Sequence, residues 1–89
     1  MLRLNTTWQR EGEVVVVVEG RVADGDVALL DREIARHFAW AGRIELDFDG
    51  VRFIDEAGLE VLQGWRRKGV VLRGGSSFVR ALLETRGLV

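Results

Sequence analysis

IELDFDGVRFIDEAGLEVL, residues Ile44 to Leu62, reads as a strand, a tight turn and the start of a helix. Ile44, Leu46 and Phe48 alternate with Glu45, Asp47 and Asp49, the period of two that marks a strand with one buried face. Asp49-Gly50 punctuates the run, and Val51, Phe53 and Ile54 carry the chain to Asp55. Glu56-Ala57-Gly58-Leu59 then opens an amphipathic helix that extends to about Lys68 and ends at Gly69. Asp is a favoured cap, and Glu in a first helical turn faces the positive end of the helix dipole.

Working outward, Leu2, Leu4, Thr6 and Trp8 alternate with Arg3, Asn5, Thr7 and Gln9, which predicts a first strand with one wet face. Arg10-Glu11-Gly12 turns the chain into Val14 to Val18, five β-branched residues that favour strand over helix. Ala23-Asp24-Gly25-Asp26 ends that strand and offers an N-cap. Beyond it Val27, Leu30, Ile34, Phe38 and Ala41 fall on one helical stripe, with Gly42 placed as a stop. On the C-terminal side, Val70-Val71-Leu72 reads as a short strand. Gly74-Gly75-Ser76-Ser77 turns into a last helix with Phe78, Val79, Leu82 and Leu83 on its apolar side. Right-handed strand-helix-strand crossovers make the last three strands parallel, with the first strand antiparallel to the second. A single α/β domain over residues 1–89 follows: a four-stranded mixed sheet with three helices on one face.

The bulk numbers agree with one small core. Eighty-nine residues, 47% of them hydrophobic, form one domain that removes roughly 60 to 65% of its unfolded surface from water. Thirteen basic and fourteen acidic residues leave a net charge of -1, unlike a dedicated nucleic-acid binder. With no cysteine there is neither a disulfide framework nor a thiolate metal site. No long apolar segment follows Met1-Leu2-Arg3-Leu4, and the valine run is too short to span a bilayer. The expectation is a soluble cytoplasmic protein without membrane insertion.

Three segments together resemble STAS domains, the family typified by bacterial anti-sigma factor antagonists. They are VVVVVEGRV (14–22), FIDEAGLEVL (53–62) and GVVLRGGSSFVRALLETRGL (69–88). The resemblance implies a STAS-like fold and a protein-protein interaction module that is not an enzyme. It places partner binding around Asp24, Asp26, Phe53, Asp55, Glu56, Gly58 and Leu59. In the family a phosphorylatable hydroxyl follows the Asp of the turn; Glu56 stands there in this chain, and Ala57 cannot replace it. Such a module is not switched by phosphorylation at the usual site. Glu56 then either fixes a phosphorylated-like state or serves a partner that never used the switch. The bland alternative is that Asp55 and Glu56 are simply good helix-start residues. The implied partner is a kinase-like anti-sigma factor. The alternative function is that of a small subunit docking on the ATPase of a lipid-type ABC transporter. The resemblance also sets this chain apart as a short form, ending at Val89 where many members continue into a further strand and helix.

Other candidates carry less. His37, the lone histidine, lacks a nucleophile or second base nearby in sequence and reads as a partly exposed structural residue. Glu45, Asp47 and Asp49 share a strand face, but hard cations want six or more oxygens, so a solvated face is preferred to a metal site. Arg66-Arg67-Lys68, Arg73, Arg80 and Arg86 complement helix C-termini or attract an acidic partner. Gly74-Gly75-Ser76-Ser77 resembles a phosphate-cradling loop in outline but lacks the P-loop spacing and lysine. Trp8, Trp40 and Trp65 are expected at the core or its edge. Val15 and Val17 point away from the helices and suggest a self-association patch, hence a homodimer. No cofactor is expected.

Overall fold

Valine-rich β2 (Glu13–Val22) lies in the interior of the sheet. It pairs antiparallel with β1 (Leu2–Arg10) and parallel with β3 (Arg43–Ile54), and β3 pairs parallel with the short β4 (Val71–Arg73). The computed structural model describes the backbone of residues 1–89 and every side chain except those of Trp8 and Gln9. The strands stand in sequence order, β1-β2-β3-β4, so each parallel step moves the same way across the sheet. Right-handed crossovers in one direction keep all connecting helices on one face. The connecting helices are α1 (Asp26–Phe38) and α2 (Glu56–Arg67); α3 (Ser77–Glu84) follows β4 and joins the same core through Val79 and Leu83. The mixed four-stranded sheet with three helices expected from the sequence is the observed fold.

Alternation sorts the sheet into a dry and a wet face. Val14, Val16, Val18, Ile44, Leu46 and Phe48 point to the helices and are buried with Leu30, Ile34, Leu62, Val79 and Leu83 in one core. Each such aliphatic or aromatic side chain contributes about 1.5–3 kcal/mol of transfer free energy. The last third of β3 departs from strict alternation. Val17 and Glu19 of β2 face Asp47 and Gly50, and Gly20 and Arg21 face Val51 and Phe53. At each step β3 carries one residue more than β2, so the strand bulges twice. Phe48, Val51 and Ile54, three apart, therefore all reach the core. Asp49-Gly50 lies within a continuous strand and does not end it as the sequence suggests. A Cβ on Gly50 would sit 2.8 Å from Glu19 Cγ, so a larger residue in the bulge requires the Glu19 side chain to move.

Several expectations need correction. Phe38 leaves the stripe of α1 and is half exposed, whereas His37 is only 3% exposed; Thr6 of β1 and Glu33, one turn earlier, give its ring partners there. Val15 is 4% exposed and offers no patch. Thr7 and Glu45 flank it in register, and Arg73 reaches over the strand to Glu45 (2.9 Å) and Asp47 (3.4 Å). Val17 is half-buried. Phe78 faces solvent, although it begins the apolar run of α3. Trp65 packs against the core edge, and Trp40 is half exposed. Neither Asp24 nor Asp26 caps α1: the cap position is Gly25, without a side-chain bond. Asp24 instead takes the left-handed conformation (φ 57°), one that Asp tolerates better than most residues.

Candidate functional site

The C-terminal ends of β2 and β3 are tied by the Asp55 N–H, which donates to Val22 O at 3.0 Å. Helices α1 and α2 consequently begin side by side at one edge of the sheet. Asp55 caps α2 in extended backbone (φ -85°, ψ 178°), its Oδ1 accepting from Gly58 N at 2.8 Å. Its second oxygen, Oδ2, accepts from Asp24 N at 2.9 Å. One carboxylate thus fixes both helix-starting turns, and the two turns form a single ridge. Asp24 and Glu56 are exposed on it, and Asp26 is half-buried.

Gly58 and Leu59 lie beneath the ridge. Leu59 is 4% exposed, and Gly58 sits where a Cβ would be 2.9 Å from Ile54 Cγ2 and Val22 Cγ1 and 3.0 Å from Val22 O. Their place in the expected binding set is corrected: they press α2 onto the sheet and present little surface of their own. The absence of a side chain at 58 lets the helix start close to β2 and β3.

Glu56 has a side chain 85% exposed, and its Oε1 accepts from Arg86 Nη2 at 2.9 Å. Arg86 also donates to Gln63 Oε1 at 3.4 Å, while Gln63 returns a bond to Arg86 O at 3.4 Å. The turn after α3 is therefore pinned along α2. An open cleft of about 760 Å³ runs beside this contact, lined by Phe53, Asp55, Glu56, Ala57, Leu82 and Arg86 among others. Phe53 stacks on Phe78 (6.4 Å between ring centres) and takes the Arg21 guanidinium at 5.0 Å from its own ring. Arg86, Gln63, Phe78 and Arg21 belong to this surface and escaped the sequence reading. Arg86 resembled any helix-end cation, and nothing in local spacing joins residues 56 and 86.

The remaining candidates fall elsewhere. The loop at Gly74-Gly75 holds no free anion cradle at Gly75, because Asp49 Oδ1 accepts the Gly75 N–H at 3.0 Å. A Cβ on Gly74 would collide with that same carboxylate. Glu45 and Asp47 are engaged by Arg73, and no group of three or more metal-ligating side chains occurs among the described residues. His37 Nε2 lies 3.2 Å from Glu33 Oε2 and from Thr6 Oγ1, and its buried Nδ1 has no partner among the described residues. The Arg36 hydrogen bond holds the Glu33 carboxyl below its usual range against the opposing effect of burial, with His37 adding to the lowering. No described helix is long and apolar enough to cross a membrane.

This arrangement of sheet and one-sided helices is the STAS fold seen in anti-sigma factor antagonists. The chain superposes on the anti-sigma factor antagonist SpoIIAA in its unphosphorylated form with a TM-score of 0.80 at 20% identity, over 97% of this chain and 82% of that one. It superposes on an anti-sigma factor antagonist from Mycobacterium paratuberculosis with a TM-score of 0.74 at 22% identity, over 96% and 79%. No protein-family model and no curated protein matches the sequence. At such identities the likeness is one of fold.

Proposed function

We propose that this chain is a non-catalytic docking module of the anti-sigma factor antagonist kind, and that its contact surface is the ridge of Asp24, Asp55 and Glu56 with the adjoining cleft. One observation carries the reading: Asp55 clamps two helix starts into a fixed acidic edge and spends its carboxylate on backbone N–H groups. A carboxylate so committed is not poised for proton transfer, and His37 is enclosed on another part of the molecule. Glu56 gives the ridge a permanent charge where a phosphate would bring about -1.5 to -2, and it has no hydroxyl to form a phosphoester. The module is constitutive at this position. A kinase-like anti-sigma factor is the preferred partner, and a transporter ATPase is the competing one.

Isothermal titration against both classes tests the reading, with Asp24→Arg and Glu56→Arg as variants. Binding to a kinase-like protein that either reversal weakens about tenfold or more supports it, since a reversed charge facing a basic partner surface creates a like-charge contact that costs several kcal/mol. Binding only to the ATPase replaces the partner, and binding indifferent to both reversals removes the ridge from the interface.

A further inference from the structure

The end of the molecule opposite the ridge gathers partly exposed aromatic rings and basic side chains. Helices α1 and α2 both run away from the acidic edge, so their C-terminal turns emerge together about 20 Å along, the length of a thirteen-residue helix. Phe38 and Trp40 are each 44% exposed there. The Phe38 and Trp65 rings are 5.2 Å apart, and Trp40 stands edge-on to His37 at 5.6 Å. Lys68 Nζ rides over the same rings, 4.9 Å from Trp65 and 5.9 Å from Phe38. Phe38, Gly42, Lys68 and Gly69 line one shallow hollow, which places the end of α1 against the end of α2. Arg66 and Arg67 project from the last turn of α2, and neither they nor Lys68 form an ion pair among the described residues.

Helix-dipole complementation accounts for basic residues at these positions. It does not account for aromatic rings that keep 44% of their surface exposed beside them. Rings at a water boundary with cations around them match the chemistry of a lipid headgroup layer: aromatic side chains settle at the interface, and Lys and Arg reach anionic headgroups. We infer that this basic-aromatic pole docks peripherally on an anionic phospholipid surface and leaves the acidic ridge facing away from it. Charge selects the occupant. The net charge of -1 and the acidic far end disfavour a polyanion that would wrap the whole molecule, whereas a planar anionic surface meets the exposed Arg66, Arg67 and Lys68 first, with Asp31 beside them held by the Trp65 indole N–H at 2.7 Å. This is attachment to the surface, without any inserted span.

Co-sedimentation of the full chain with phosphatidylglycerol-phosphatidylcholine vesicles, with pure phosphatidylcholine as control, tests the inference. Retention on the mixed vesicles alone, declining as salt is added, is expected. Arg66→Glu with Arg67→Glu is expected to weaken it by about tenfold or more. Both positions are exposed, and unchanged circular dichroism verifies that the variant folds. With brominated lipid, tryptophan quenching is expected in the native chain and is expected to fall in Trp40→Phe. No retention at low salt, retention unaltered by charge reversal, or quenching unaltered in Trp40→Phe overturns the inference. So does tighter binding to duplex DNA that the same charge reversal abolishes.

Discussion

At Gly58 the space for a side chain is already taken by Ile54, Val22 and the Val22 carbonyl, each within about 3 Å of where a Cβ would sit. The carbonyl belongs to a strand and cannot turn aside, so Gly58→Ala must lift α2 from the sheet. A loss of about 1–3 kcal/mol is expected, read as a lower urea midpoint with an unchanged slope. Asp55 sets a different kind of requirement. Asp55→Ala leaves Gly58 N and Asp24 N without their acceptor and is expected to cost about 1–2 kcal/mol. Asp55→Asn keeps one acceptor oxygen but turns an NH2 toward the second donor, so its loss should fall between those of the native chain and Asp55→Ala in the same urea titration. Asp55 was legible as a cap because the signal is local. Its second bond, to residue 24, depends on the parallel pairing of β2 and β3, which no local pattern encodes.

Helix α1 is held to β1 by a polar contact under an apolar stripe. Thr6 donates to Glu33 at 3.2 Å, and Glu33 also receives Arg36 at 2.8 Å and lies 3.2 Å from His37 Nε2. The Glu33 carboxyl titrates below its ordinary value of 4.5, first because of the Arg36 hydrogen bond. A carboxyl with a depressed folded-state pKa contributes stability that is full above the unfolded value and lost as pH falls through the folded one. Glu33→Gln is therefore expected to be less stable than the native chain at pH 7. The gap should begin to close near pH 4.5 and vanish in stronger acid, as followed by urea midpoints across that range. A gap independent of pH would assign the contact to packing alone. From the sequence His37 reads as a partly exposed structural residue, because a lone ionisable group usually keeps some contact with water. The burial is visible only once Thr6 is known to stand opposite it on β1. Strands behaved similarly: the alternation of β3 as far as Phe48 was readable, but its two bulges were not, since a bulge is a relation between β2 and β3 and not a property of either.

Across the whole molecule, a four-stranded sheet covered on one side leaves a core only one layer deep, so each buried side chain near its rim matters to the total. Leu88 shows the consequence. It follows α3 by a turn whose N–H groups return to Leu83 O and Glu84 O, and it is buried with Val79 and Leu83 although it is the penultimate residue. Removing its side chain opens a cavity in the core that Val79 and Leu83 also fill. Leu88→Ala is expected to cost about 2–4 kcal/mol, a large part of the 5–15 kcal/mol typical of a native domain. The same anchor sets the direction of Arg86, two residues earlier, which reaches Glu56 at 2.9 Å. With Glu56 85% exposed the ion pair itself supplies about 0–1 kcal/mol, so Arg86→Ala, which also loses the long bond to Gln63, should move the unfolding midpoint much less than Leu88→Ala while freeing Glu56. Comparing the two separates stability from presentation. If the pinned geometry of the cleft matters for docking, Arg86→Ala weakens partner binding in titration calorimetry with little loss of stability, and Leu88→Ala weakens both. Equal partner affinity in Arg86→Ala and the native chain would show that the ridge alone, without the cleft wall formed after α3, makes the contact.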